Sequence, residues 1–249
     1  MPLRFLYSLR DTLKAQNICV NFYYDDHYIG GFIKELERYS IPDTIVLLPK
    51  YLTPPNAFDT WVAHSIGNIN YHSWCQYYEL KQIQMLDYMK LDKAHVDASF
   101  WINEPYLLDL YTSLPSQYQN IDVLVINSTA FSGQYRNNPN EIDTLCRFLD
   151  ASYNIVTTRK VDSIKCTLDA DLRVQDIAAI ATHCKYIVAV MTSPFTGIFN
   201  KQTQTSVMKW FPIVSDGTKF TFTGMDYTSI SDGNLQPIYD YFNSLSTSV

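Results

Sequence analysis

In the second half of the chain, short continuous apolar runs alternate with amphipathic stretches. Residues 121–126 (IDVLVI) form a compact β-branched run that predicts a strand, and residues 127–136 after it read as a polar loop. Pro139 then opens residues 140–149, where Ile142, Leu145, Cys146 and Leu149 recur at helical spacing. Residues 153–156 predict a second strand, ending in Thr157, Thr158, Arg159 and Lys160, and residues 164–168 a short extended piece. Val174, Ile177, Ala178, Ile180 and Ala181 give one apolar helix face that closes at His183 and Cys184. Residues 186–191 (YIVAVM) are a third strand, of the near-continuous apolar type found where both faces of a sheet are covered. Thr192, Ser193 and Pro194 start another helix, with a hydroxyl residue as N-cap and proline in the first turn. Residues 210–214 predict a fourth strand. Strands alternating with helices in this way imply βαβ crossovers and a parallel sheet.

The first half opens with leucines at helical spacing, Leu3, Leu6, Leu9 and Leu13, with Phe5 beside them. A strand over 18–24, the polar group Asp25, Asp26 and His27, a helix near 29–39 and a strand over 44–48 follow. Beyond Pro54 and Pro55 the chain is rich in Tyr and Trp, with helices expected at Trp74–Met89 and 105–111. Residues 114–120 (LPSQYQN) are the best linker candidate. The expected organisation is an N-terminal α/β lobe over 1–115, a second α/β lobe over 120–230, and a C-terminal helix (235–245) and tail within 231–249. No internal repeat or low-complexity segment is evident.

Composition narrows the function classes. The chain has 249 residues, 47% hydrophobic and 18% charged, which is globular rather than disordered composition. A formal charge of −6 and a pI near 5.3 lack the basic footprint of a nucleic-acid binder. No apolar run reaches the roughly 18 residues of a membrane span. Charges at Arg4, Arg10, Asp11 and Lys14 break the apolar stretch that a signal peptide would need. The five cysteines are scattered with no CxxC pair, so a reduced, cytoplasmic protein without a zinc site is expected. Only 8 glycines occur, and neither a GxGxxG nor a P-loop string is present. The 19 tyrosines form either a core and boundary layer or a sugar-stacking surface, and the aromatic stretch over 58–78 is a candidate interface for self-association.

In an open parallel sheet, ligands bind beyond the carboxyl ends of the strands. Four segments fall there: residues 128–136, holding Ser132, Gly133, Gln134 and Arg136; Thr157, Thr158, Arg159 and Lys160; residues 167–173, including Asp169; and Thr192, Ser193, Pro194 and Phe195. A short polar pair between a buried strand and a helix start leaves backbone N–H groups free to meet an anion, so a phosphate can bind there without a glycine signature. Taken alone, Ser193 can equally cap its own helix, and Arg159 with Lys160 can be a solvated turn. Together the four segments favour a phosphate-bearing ligand. In the first lobe, Asp25, Asp26 and His27 at a strand end are either a source of a general base or a solvated turn. His64 and His72 lack a metal-ligand spacing, His95 carries no special argument, and His183 sits where a helix C-terminus favours it. The absence of G-x-S-x-G leaves hydrolase chemistry little support.

The run over 172–197, LRVQDIAAIATHCKYIVAVMTSPFTG, resembles the donor-binding lobe of GT-B glycosyltransferases, nearest to the heptosyltransferase-like group. With strand–helix order included, the likeness extends over 121–215. Thr192, Ser193 and Pro194 stand where that group usually has an acidic or small residue followed by Ser/Thr-Gly-Pro, so the glycine is missing here. The resemblance implies an α/β fold of two Rossmann-like lobes with parallel sheets, binding a nucleotide sugar between them as substrate, with no cofactor and no metal. It places the donor diphosphate at the helix beginning at Ser193, its charge offset by Arg136 or Lys160. Base and ribose contacts come from 157–160 and 168–171. A carboxylate of the first lobe, with Asp26 the candidate, deprotonates the hydroxyl of a glycan acceptor. The N-terminal lobe departs from the family: its opening residues read as the helix after the expected first strand and loop, so that lobe is expected to be incomplete. The competing readings are a non-catalytic nucleotide- or glycan-binding protein on the same scaffold and a sugar-nucleotide epimerase.

Overall fold

The structure is a computed structural model that describes residues 6, 9–24, 43–57, 74–92, 106–128, 139–192, 195, 197–198, 201–214, 225–231 and 233–246. The chain divides into two compact units, residues 1–102 and 103–249.

In the first unit, helix α1 (Arg10–Ala15) ends where Asn17 takes a left-handed conformation, φ 54°. The amides of Asn17 and Ile18 donate back to the carbonyls of Lys14 and Leu13, closing the helix end in the way a left-handed cap does. Strands β1 (Val20–Tyr24) and β2 (Ile45–Pro49) pair in parallel, from Val20 opposite Ile45 to Tyr24 opposite Pro49. Helix α2 (Trp74–Met89) stops at a second left-handed residue, Lys90 at φ 60°, with the Leu91 amide returning to Leu86. Leu6, Leu9, Leu13, Ile45, Met85, Leu86 and Leu91 form the core, with Val20 and Phe22 packed against it from one face of β1. Leu6, Leu9 and Leu13 of the leucine spacing read from the sequence are therefore buried in this unit, and Leu3 lies outside the described residues. The expected helix over 29–39 lies outside the described residues.

The second unit opens with helix α3 (Tyr106–Ser113) and a 3-10 turn, Ser116–Tyr118. It continues through strand β3 (Val123–Ile126), helix α4 (Pro139–Asp150), strand β4 (Ile155–Thr157), a 3-10 turn Thr167–Ala170 and helix α5 (Val174–Ala181). Strand β5 (Tyr186–Val190), helix α6 (Lys201–Ser206), strands β6 (Lys209–Val214) and β7 (Ile230–Ser231) and helix α7 (Gln236–Ser246) complete it. The strands form one five-stranded sheet in the order β4-β3-β5-β6-β7, all neighbours parallel. The chain thus steps from β3 outward to β4, then returns across β3 to lay down β5. The direction of winding reverses between β3 and β5.

Both faces of the central strands are buried, as their apolar runs require. On one face Val123, Val125, Val188, Val190, Phe211 and Ile213 meet Ile142, Leu145 and Leu149 of α4 and Ile238 and Phe242 of α7. Alternate residues Leu124, Ile126, Ile187, Ala189 and Trp210 are buried too, and α5 packs on α3 through Leu107, Ala178 and Ala179. Truncating one such leucine to alanine costs about 2–5 kcal/mol.

Two local details depart from the sequence reading. Residues 114–120 do not link the two units but lie within the second: Tyr118 is fully buried, and its hydroxyl donates to the Cys166 carbonyl at 2.8 Å. The unit boundary accordingly falls at 102/103, and α3 belongs to the second unit. Strand β7 was not anticipated, since two residues are too short to carry a period. Pro212 sits in an internal strand, where a missing N–H normally breaks a ladder. The Trp210 amide donates towards the β7 side, to Asp226, so by alternation the Pro212 nitrogen faces that side as well. There it meets the gap between the Trp210–Tyr227 bridge and the first β7 pair, Ile213 with Ile230. Among the described residues no helix is long and apolar enough to cross a membrane.

Candidate functional site

The winding reversal lies between the carboxyl ends of β3 and β5, the kind of switch point at which open parallel sheets take ligands. Their flanking residues are Asn127 and Ser128 after β3, Met191 and Thr192 after β5, and Thr158, Arg159 and Lys160 after the neighbouring β4. All four segments expected from the sequence to face a ligand thus have described residues at this end of the sheet or just beyond β4, the first through Ser128 and the third because Cys166 bridges Thr157 and leads into Asp169.

Asn127 organises this edge. It is 2% exposed, and its side-chain Oδ1 accepts from the backbone N–H of Thr158 at 3.1 Å and of Arg159 at 2.7 Å. Its Nδ2 donates to the Arg159 carbonyl at 3.1 Å, and its backbone N–H donates to Thr158 Oγ1 at 3.1 Å. Ser128 Oγ lies 2.9 Å from the same Thr158 hydroxyl. One amide side chain therefore supplies the acceptor and donor that β4 loses as it leaves the sheet, and buried backbone groups need such partners. Sequence reasoning passed over Asn127 as the first residue of a polar loop. Its one legible signal is a lone amide directly after an all-apolar strand.

Of the cations expected to face phosphate, the described Arg159 and Lys160 already have partners. The Arg159 guanidinium donates through Nη2 to Asp143 of α4 and through Nε to the Asn127 carbonyl at 3.3 Å. The side chains of this ion pair are 30% and 18% exposed. Lys160 pairs with Asp169, and both side chains are more open. That contact holds the Asp169 carboxyl below its ordinary range and raises the Lys160 ammonium. Asp169 also accepts from the Cys166 amide at 3.2 Å, fixing the 3-10 turn that follows. Arg173 pairs with Asp171 at 2.6 Å, while its amide donates to the buried Asp176 carboxylate at 2.7 Å to start α5. Thr158 is buried in the Asn127 network, so its hydroxyl serves the scaffold. Thr192 is half-buried, and its amide donates to the Val190 carbonyl at 2.7 Å.

Asp26, Ser132, Gly133, Gln134, Arg136, Ser193 and Pro194 lie outside the described residues. Just after the last pair, Phe195 and Ile198 are fully buried, with the Phe195 ring edge-on to Trp210 at 6.5 Å. Gly197 lies so close to α5 that a Cβ there would come within 2.1 Å of Val174 Cγ1. Among the described residues no three side chains of metal-ligating type cluster. A separate opening of about 410 Å³ is lined by Asn140, Glu141 and Thr144 of α4 and by Leu235, Gln236 and Tyr239 at the start of α7.

No family model matches the chain, and no curated protein matches it in sequence. Among solved structures it is similar to a protein described as the glycosyl transferase family 9 from Veillonella parvula DSM 2008, at 10% identity and a TM-score of 0.41. The likeness covers 66% of this chain and 52% of that one, so the chain spans about half the length of that structure.

Proposed function

We propose that the second unit binds the nucleoside diphosphate part of a nucleotide-activated sugar at the carboxyl ends of β3, β4 and β5. The protein then transfers the sugar to a hydroxyl of a glycan or lipid-linked glycan without a metal, in the cytoplasm. The observation that carries this reading is the reversal of winding between β3 and β5. It coincides with three polar strand ends, and such a switch point is where open parallel sheets take nucleotides. The resemblance of residues 172–197 to the donor lobe of GT-B glycosyltransferases supports it independently.

In this reading Thr192, Ser193 and Pro194 receive the diphosphate, with its charge offset by Arg136, Arg159 and Lys160. Ser132, Gly133 and Gln134 contribute further contacts to it, and Asp169 contacts the ribose. A carboxylate, with Asp26 the candidate, takes the proton of the acceptor hydroxyl. The acceptor oxygen bonds to the anomeric carbon as the bond from that carbon to the phosphate oxygen breaks, and the nucleoside diphosphate leaves with the electron pair. Cations and amides at the strand ends lower the barrier by meeting the charge that grows on the leaving group.

The test is a thermal-unfolding panel with nucleoside diphosphates, nucleotide sugars and matched nucleosides, followed by a donor-hydrolysis assay with and without EDTA. Selective stabilisation by the diphosphates, through mass action on the native state, and EDTA-insensitive turnover are expected. Stabilisation without turnover would favour a binding scaffold, and a changed sugar without acceptor would favour an epimerase. No stabilisation by any diphosphate would refute the site.

A further inference from the structure

We infer that Asp143 is a built-in competitor for the anion that Arg159 receives, occupying the guanidinium until a ligand phosphate replaces it. The inference rests on the proposed function, and it adds a device that sets the affinity of that same site.

The geometry behind it is specific. Asn127 holds the backbone of Arg159 from both sides, accepting its N–H at 2.7 Å and donating to its carbonyl at 3.1 Å. The Arg159 side chain is then tied by its Nε to the Asn127 carbonyl at 3.3 Å. With one edge so fixed, the guanidinium presents Nη2 to Asp143. Carboxylate and phosphate oxygens fit the same planar fork, so each can replace the other there. Asp143 comes from the first turns of α4, between Ile142 and the core residues Leu145 and Cys146. Its own side chain is outside the apolar cluster, and the pair is only part-buried. An exchange of partners at Arg159 therefore leaves the packing of α4 on the sheet undisturbed.

A static brace between α4 and β4 would show the same contact, but the two roles make opposite predictions. Removing a competitor tightens anion binding, and removing a brace leaves it unchanged or weakens it. Isothermal titration of the full chain with inorganic pyrophosphate and with uridine diphosphate, at low ionic strength, separates them. Asp143→Asn is expected to bind both about fivefold more tightly than wild type, the scale of a part-exposed ion pair. Arg159→Gln is expected to lose most of the affinity, and adding Asp143→Asn to it is expected to restore none, as a coupled pair requires. Glu141→Gln removes an exposed charge from the same helix and is expected to change nothing, which excludes a general charge effect. Asp143→Ala takes the place of the asparagine variant if that one does not fold.

Equal or weaker binding by Asp143→Asn, while wild type binds, would overturn the inference and leave the proposed function standing. The same holds if Arg159→Gln binds as wild type does. If neither wild type nor any variant binds pyrophosphate or uridine diphosphate, the proposed function falls and this inference with it.

Discussion

Asn127 Oδ1 accepts two consecutive backbone N–H groups, from Thr158 at 3.1 Å and from Arg159 at 2.7 Å, and so fastens the end of β4 to the end of β3. Replacing Asn127 with alanine removes the side-chain acceptor of both amides and the donor to the Arg159 carbonyl, while the Thr158 amide keeps the Val125 carbonyl at 3.1 Å. Net losses of about 1 kcal/mol per hydrogen bond, and more where a group stays buried and unpaired, give an expected destabilisation of about 2–4 kcal/mol. Urea denaturation of Asn127→Ala against wild type measures it. A loss below about 1 kcal/mol would mean that water replaces the amide.

Gly197 and Val174 make a second exacting contact. A methyl group at Gly197 would meet Val174 Cγ1 at 2.1 Å, and a β-branched side chain has little freedom to move aside. Gly197→Ala is expected to destabilise the second unit by about 1–3 kcal/mol, the usual cost of overpacking. Val174→Ala in the same molecule is expected to recover most of that loss, so the double variant should be more stable than the sum of the two single changes predicts.

Much of this architecture was legible in the sequence, and the reason is periodicity. The all-apolar runs of β3 and β5 and the i, i+3, i+4 spacing of Ile142, Leu145, Cys146 and Leu149 each state their burial directly, and the structure buries all of these residues. The helix expected near residues 74–89, where no clear apolar period stands out, is present at Trp74–Met89. What escaped has no period. Tyr118 reads as part of a polar connection, but its ring is buried and its hydroxyl is held by Cys166, 48 positions away. The partners of Arg159 and Lys160 are 16 and 9 positions away, and a sequence shows charges without showing which of them meet. Asn127 is a single residue whose role exists only once β3 and β4 lie side by side.

At the opposite end of β3, Lys185 donates to Asp122 at 2.8 Å, while the other Asp122 oxygen accepts from the Asn154 amide at 3.1 Å. Burial pushes this carboxyl up, but the Lys185 and Asn154 contacts outweigh it and hold it below its ordinary value. A lowered folded value means that the stabilisation is present above the unfolded value, about 4, and is lost as pH falls through the folded one. Lys185 is raised by Asp122, so its share is present below its unfolded value, about 10.4, and is lost as pH rises through the folded one. Asp122→Asn is therefore expected to be less stable than wild type at pH 7, with the difference shrinking in acid. Chemical denaturation at pH 7 and pH 2.5 tests this, and a gap of constant size would contradict it.

The described cysteines separate by exposure. Cys19 is exposed, whereas Cys146, Cys166 and Cys184 are buried. Burial pushes the Cys146 thiol up to about 12 and raises Cys184 as well. Since the thiolate is the reactive form, iodoacetamide at pH 8 is expected to modify Cys19 in the native protein and to reach Cys146 and Cys184 only after unfolding. Peptide mapping by mass spectrometry reads this. Labelling of Cys146 as fast as that of Cys19 would contradict the packing of α4.

The location of the anion site is tested most directly by amide hydrogen exchange with and without a saturating nucleoside diphosphate. Increased protection is expected at Ser128, Arg159, Lys160 and Thr192, the ends of the three strands around the winding reversal, with little change at β7 or α7. Protection confined to other segments, or none while the ligand is bound, would contradict the account.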